Sequence, residues 1–144
     1  MKVAIITGGT RGIGLGIARR LASNGFNLIL GYNSNHKAAS EVKTELEKFN
    51  VKIVTVTGDI KKLETVDALF QIVEEVFDGN LTAFVSSAGY AITASLPKNF
   101  TFEQYEEAQE LYPKSFLRCM EKALNYMADN QGRVVVISSQ AVHD

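Results

Sequence analysis

Five apolar, mostly β-branched runs recur along the chain: VAIIT at 3–7, NLILGY at 27–32, VKIVTVT at 51–57, LTAFVSS at 81–87 and RVVVISS at 133–139. Uninterrupted apolar runs suit strands covered on both faces, as in a parallel sheet. Segments with helical spacing lie between them. Ile13, Ile17 and Leu21 fall at i, i+4 and i+8, and Val42, Leu46 and Phe49 mark a second segment. Val66, Leu69, Phe70, Val73 and Phe77 mark a third; Tyr105, Ala108, Leu111, Phe116, Met120, Ala123, Leu124 and Met127 mark a long fourth. Strands alternating with helices predict βαβ units and an α/β doubly wound parallel sheet. Gly25, Gly79 and Gly132 stand at the expected helix exits, where a left-handed residue often closes a helix. Pro113 inside the fourth segment predicts a kink or a break. The 144 residues suit a single domain, and neither an internal repeat nor a low-complexity linker interrupts them.

The first strand runs directly into TGGTRGIGLGIARRLASNG. A strand, a glycine-rich turn and an amphipathic helix follow one another in the order that phosphate binding needs. Glycines let the backbone approach an anion closely, and the helix start offers free N–H groups at the positive end of its dipole. Nucleotide binding is the expectation. Net charge is −1 with no long run of one sign, which argues against nucleic acid or a membrane surface as the main partner. The apolar start after Met1 and Lys2 is too short for a secretory signal, and no stretch is long and apolar enough to span a bilayer. Cys119 is the single cysteine, so no intrachain disulfide can form; a buried thiol in a reducing, cytoplasmic compartment is expected.

The glycine spacing is Gly8-x-x-x-Gly12-x-Gly14 behind Thr7, not the generic G-x-G-x-x-G. It resembles the T-G-x-x-x-G-x-G of the short-chain dehydrogenase/reductase family, above all members reading T-G-G-x-R-G-I-G. The resemblance continues in register through GDI at 58–60, SSAG at 86–89 and VVVISS at 134–139. It implies a Rossmann-type sheet of order 3-2-1-4-5. It also implies a cofactor site formed by Thr7, Gly8, Thr10, Arg11, Gly12, Ile13, Gly14, Asn33, Ser34, Asp59, Ile60, Ser87, Ala88 and Gly89. Asp59 would lie at the adenine, and Ser139 would be the catalytic serine. The motif style is similar to that of 3-oxoacyl-acyl-carrier-protein reductases, with a small carbonyl or alcohol substrate and a homo-oligomer when full length.

An NAD-selective site places a carboxylate about 20 residues past the glycines, against the ribose 2′-OH. The matching stretch, GYNSNHKAAS at 31–40, contains no acid, and the first carboxylate is Glu41 in the next helix. Without that repulsion a 2′-phosphate is tolerated. Arg11, with Asn33, Ser34 or Lys37, can meet it through charge-assisted hydrogen bonds. NADP(H) is therefore favoured over NAD(H), while His36 reads as the start of a solvated helix.

In the family resembled, a Tyr donates the proton, a Lys four residues later lowers its pKa, a Ser holds the substrate oxygen and an Asn completes a relay. Tyr-x-x-x-Lys sets both side chains on one helix face. Four residues after Tyr32, Tyr90, Tyr105, Tyr112 and Tyr126 stand His36, Ala94, Gln109, Phe116 and Asn130, so none forms the pair. Ser87 replaces the second Asn of the family's N-N-A-G. Tyr112 falls at the usual Asn position, where it is either a packed aromatic or a phenol facing the nicotinamide pocket. His143 reads as a surface residue near the terminus. The expectation is the N-terminal, cofactor-binding portion of a longer reductase, inactive alone, with the fifth strand an apolar edge. The alternative is a non-catalytic NADP(H)-binding or interaction module. A methyltransferase fits the alternation of elements but explains neither Thr7 nor the Ser138-Ser139 strand end.

Overall fold

The computed structural model describes residues 1–89, 99–128 and 131–139. Along the chain come β1 (Val3–Thr7), α1 (Gly12–Ser23), β2 (Asn27–Tyr32), α2 (His36–Glu47), β3 (Ile53–Thr57), α3 (Leu63–Phe77) and β4 (Ala83–Ser86). They are followed by α4 (Phe102–Gln109), a π-helical turn (Glu110–Lys114), α5 (Ser115–Tyr126) and β5 (Arg133–Val136). The strands form one parallel sheet of order β3-β2-β1-β4-β5, the order the resemblance implied.

Alternation along the strands divides the core in two. Ala4, Ile6, Leu28, Leu30 and Val85 face one way, against Ala18 and Ala22 of α1 and Val42 and Leu46 of α2. Val3, Ile5, Ile29 and Phe84 face the other way, against Val66, Leu69, Phe70, Val73 and Phe77 of α3 and Cys119 and Ala123 of α5. Every residue of β1 is buried, as its unbroken apolar run requires. All four residues of β5 are exposed, so the fifth strand is an apolar edge with Val134, Val135 and Val136 open to solvent.

Three local expectations are corrected. The fully buried face of α1 is Gly14, Ala18 and Ala22, one position round from the expected stripe: Ile13 is 64% exposed, while Ile17 and Leu21 pack half-buried against the core. Small side chains seat the helix closely at the centre of the contact. Gly25 and Gly79 have positive φ, but Gly132 does not; it is small because Met127 occupies the place of a Cβ. Of the kink or break expected at Pro113, the break does not occur: α4, the π turn and α5 are continuous. The helix widens by a residue into the π turn, where the Ser115 N–H donates to the Glu110 carbonyl and the Ser115 hydroxyl donates to the Leu111 carbonyl. Cys119 is buried, and desolvation pushes its thiol up to about 12, which keeps it protonated at neutral pH.

His143 lies outside the described residues. Among the described residues no helix is long and apolar enough to cross a membrane, and no three or more metal-ligating side chains cluster.

Candidate cofactor site

The carboxyl ends of the strands open onto a cleft of about 780 Å³. Thr7, Gly8, Thr10, Arg11, Gly12, Ile13 and Gly14 line it from the β1–α1 turn, and Asn33 and Ser34 from the end of β2. Asp59 and Ile60 line it from the end of β3, and Ser87, Ala88 and Gly89 from the end of β4. The fold thus gathers on one surface every residue expected at the cofactor. In a parallel sheet with a strand-order switch between β1 and β4, this is the crevice where ligands bind.

The β1–α1 turn owes its shape to two glycine contacts. A Cβ on Gly14 would fall inside the van der Waals shell of the Gly8 carbonyl oxygen, and one on Gly8 would lie 2.9 Å from Ala88 Cα. Gly12 differs: its φ is +53° and nothing lies within 4 Å of its Cβ position, so a bare main-chain surface faces the cleft. Arg11 caps α1 without a side-chain hydrogen bond, and no acid stands in the first turn. The Arg11 carbonyl accepts from Leu15 N–H at 3.0 Å, so the amides at Gly12, Ile13 and Gly14 precede the first intrahelical bond. This cradle fits a pyrophosphate through close backbone approach, open amides and the positive helix end.

Thr7 ties the floor together. Its hydroxyl oxygen accepts from the Ser87 and Ala88 N–H groups, both at 3.1 Å, and the residue is 2% exposed. Thr7→Val should leave two amides without that acceptor and cost about 1–3 kcal/mol, whereas Thr7→Ser should stay within about 1 kcal/mol of the parent. Denaturant unfolding of the two variants measures the difference.

Arg11 reaches across the cleft and donates from Nη2 to the Gly89 carbonyl at 3.1 Å. Beyond Gly89 stands Tyr112: a Cβ at Gly89 would meet the tyrosine ring at 3.1 Å and its hydroxyl at 3.2 Å. Tyr112 is 37% exposed, so the ring backs the cleft wall and also meets solvent. At the β2 end the Tyr32 hydroxyl and His36 Nδ1 lie 2.8 Å apart, so His36 is hydrogen-bonded to its neighbour at the start of α2. On the β3 side Lys61 Nζ lies 3.1 Å from Glu107 and 3.4 Å from Asp59. The Glu107 hydrogen bond, helped by the charge of Asp59, raises the lysine pKa above its ordinary value despite partial desolvation.

The short chain dehydrogenase family profile matches residues 2–144. The chain belongs to the short-chain dehydrogenase family. It is 36% identical over 142 residues to a hydroxynaphthalene reductase-like protein of Metarhizium brunneum, covering 99% of this chain and 52% of that protein. It is 28% identical to glucose 1-dehydrogenase 2 of Bacillus subtilis, covering 99% of this chain and 55% of that one. Among solved structures, L-sorbose reductase from Gluconobacter frateurii, complexed with NADPH and L-sorbose, superposes with a TM-score of 0.87 at 28% identity, over 96% of this chain and 52% of that one. A short chain dehydrogenase from Burkholderia cenocepacia in complex with NADP gives 0.90 at 26% identity, over 99% and 57%. The chain spans about half the length of the curated relatives it matches.

Sequence reasoning missed several lining residues of the cleft: Tyr32, Lys61, Leu111 and Ile137. Tyr32 and Ile137 follow from position, since each ends or immediately follows a strand pointing at the cleft. Lys61 and Leu111 carry no such signal. At the β5 end Ile137 lines the cleft, held by its N–H on the Ser86 carbonyl at 3.0 Å. Ser139 stands two residues further on and is exposed.

Proposed function

We propose that this domain is the NADP(H)-binding part of an oxidoreductase that exchanges a hydride with a carbonyl or alcohol carbon. The observation that carries the reading is the uncapped, glycine-lined start of α1, opening onto a cleft whose β2 end lacks a carboxylate. Amides of the Gly12–Gly14 turn hold the pyrophosphate. Asn33 and Ser34, with Arg11, meet the 2′-phosphate. Asp59 and the Ile60 main chain meet the adenine, and Ser87, Ala88 and Gly89 wall the nicotinamide ribose. When bound, NADP(H) supplies or accepts the hydride at C4 of its nicotinamide. Ser139 contributes a hydroxyl to the substrate oxygen. Residues 1–144 hold no Tyr-x-x-x-Lys to deliver the proton, so these residues alone bind cofactor without turnover.

Complexes with NADPH or NADP among the similar solved structures support the cofactor choice. Tyr112 at the family's usual Asn position favours a second reading, a non-catalytic NADP(H)-binding or interaction module. In both, the ligand surface of the 144-residue chain is the same. Fluorescence titration should give at least about tenfold tighter binding of NADPH than of NADH, the worth of one charged hydrogen bond or more. Equal affinities, or carbonyl reduction by this chain that Ser139→Ala abolishes, contradict the respective parts of the reading.

A further inference from the structure

The loop after β3 is held from outside by a clasp. Asp59, Ile60 and Lys61 of that loop line the cleft. Within the loop, the Lys61 N–H donates to Asp59 Oδ1 at 3.0 Å and the Lys62 N–H donates to the Asp59 carbonyl at 2.9 Å. These bonds fold the loop on itself, while the Gly58 N–H on the Tyr32 carbonyl at 2.9 Å and the buried Ile60 side chain seat its start on the sheet. The α4–α5 segment adds a restraint at Lys61, on the far end of the loop. Arg118 Nη1 donates to the Lys61 carbonyl at 2.8 Å and to Glu110 Oε2 at 3.3 Å. The Glu107–Lys61 pair also bridges α4 and the loop, but it is partly solvated and acts through a flexible side chain. The Arg118 bond ends on a main-chain atom, so it restrains the backbone itself. A guanidinium held by a carboxylate on one side donates in a fixed plane.

We propose that Arg118 is a positioning residue for base recognition: with Glu110 it sets the placement of the Asp59–Ile60 main chain against the edge of the adenine. The proposal rests on the dinucleotide reading above. Reading a base edge by hydrogen bonds requires placement within a few tenths of an ångström, because these bonds weaken steeply with distance and angle. A loop released from Arg118 keeps its sequence and its Asp59 carboxylate but loses that placement. The phosphate cradle, on the other side of the cleft, is untouched.

The test compares NADPH with its reduced hypoxanthine analogue, which differs at the 6-position of the base, a carbonyl acceptor in place of the amino donor. The full 144-residue chain should bind NADPH about tenfold more tightly than the analogue, the worth of one hydrogen bond to a carboxylate. In Arg118→Met that ratio should fall to about twofold, with Arg118→Lys recovering most of it by keeping a cationic donor. Weakening of both ligands with an unchanged ratio assigns Arg118 a general structural role and overturns the proposal, as does no change at all. Should Arg118→Met fail to fold, Glu110→Ala leaves the arginine in place and removes the acceptor that anchors it. It should lower the ratio in the same direction, and an intact ratio there likewise overturns the clasp. Absence of discrimination in the parent chain refutes the adenine placement instead, and absence of NADPH binding refutes the dinucleotide reading. Neither result resembles discrimination that survives in Arg118→Met.

Discussion

Gly14→Ala should destabilise the domain by about 3 kcal/mol and weaken NADPH binding by roughly 100-fold. The added methyl would press on the Gly8 carbonyl, a backbone atom that cannot rotate away. Relief requires moving the start of α1 or the turn before it, and either shift takes the free amides out of line with a pyrophosphate. Gly16→Ala, on the same helix, is the internal control. Nothing lies within 4 Å of its Cβ position and its backbone is ordinary helix. That variant should gain up to about 1 kcal/mol from helix propensity and bind NADPH as the parent does. Denaturant unfolding and calorimetric titration of the two chains give the comparison. Equal effects would show that the turn tolerates side chains and does not act as a cradle.

Arg11→Glu should cost NADPH about 30- to 100-fold in affinity and NADH no more than about threefold. A cation facing a 2′-phosphate is exchanged for an anion in a cleft with no carboxylate at its β2 end. In the structure Arg11 rests on the Gly89 carbonyl, on the β4 side of the cleft. Glutamate cannot donate to that carbonyl, so part of the loss is shared by both dinucleotides. The selectivity ratio, measured by paired titrations, isolates the phosphate contribution. A ratio that stays at the parent value would remove Arg11 from 2′-phosphate recognition.

The strand scaffold was legible because burial leaves a plain trace. The limits of β1 and β2 coincide with VAIIT and NLILGY, since strands covered on both faces tolerate nothing polar between their ends. The lining of the cleft was legible for a related reason. Most of the residues expected there stand at or just beyond strand ends, which the topology places together. Helix faces were less transparent. On α1 the large apolar residues mark only the flank of the contact, because its centre against the sheet is Gly14, Ala18 and Ala22, with Ile17 and Leu21 packed half-buried beside them. At Pro113 a break is the ordinary inference; a hydroxyl from Ser115 and a widened turn instead let the helix run on, a local bonding arrangement that periodicity does not encode. Arg118 was invisible for a third reason. Its contact is to a main-chain carbonyl distant in sequence, and no spacing rule reports such a partner.

The Thr7 tie has a thermodynamic corollary. Because one hydroxyl already joins the end of β1 to the amides that follow β4, this wall has its shape before any dinucleotide arrives. The conformational freedom lost in shaping it is therefore surrendered during folding, and an incoming dinucleotide does not have to order it. Substitutions that loosen this joint would transfer that entropic burden to complex formation, lowering affinity while every atom in direct contact with the ligand remained unchanged.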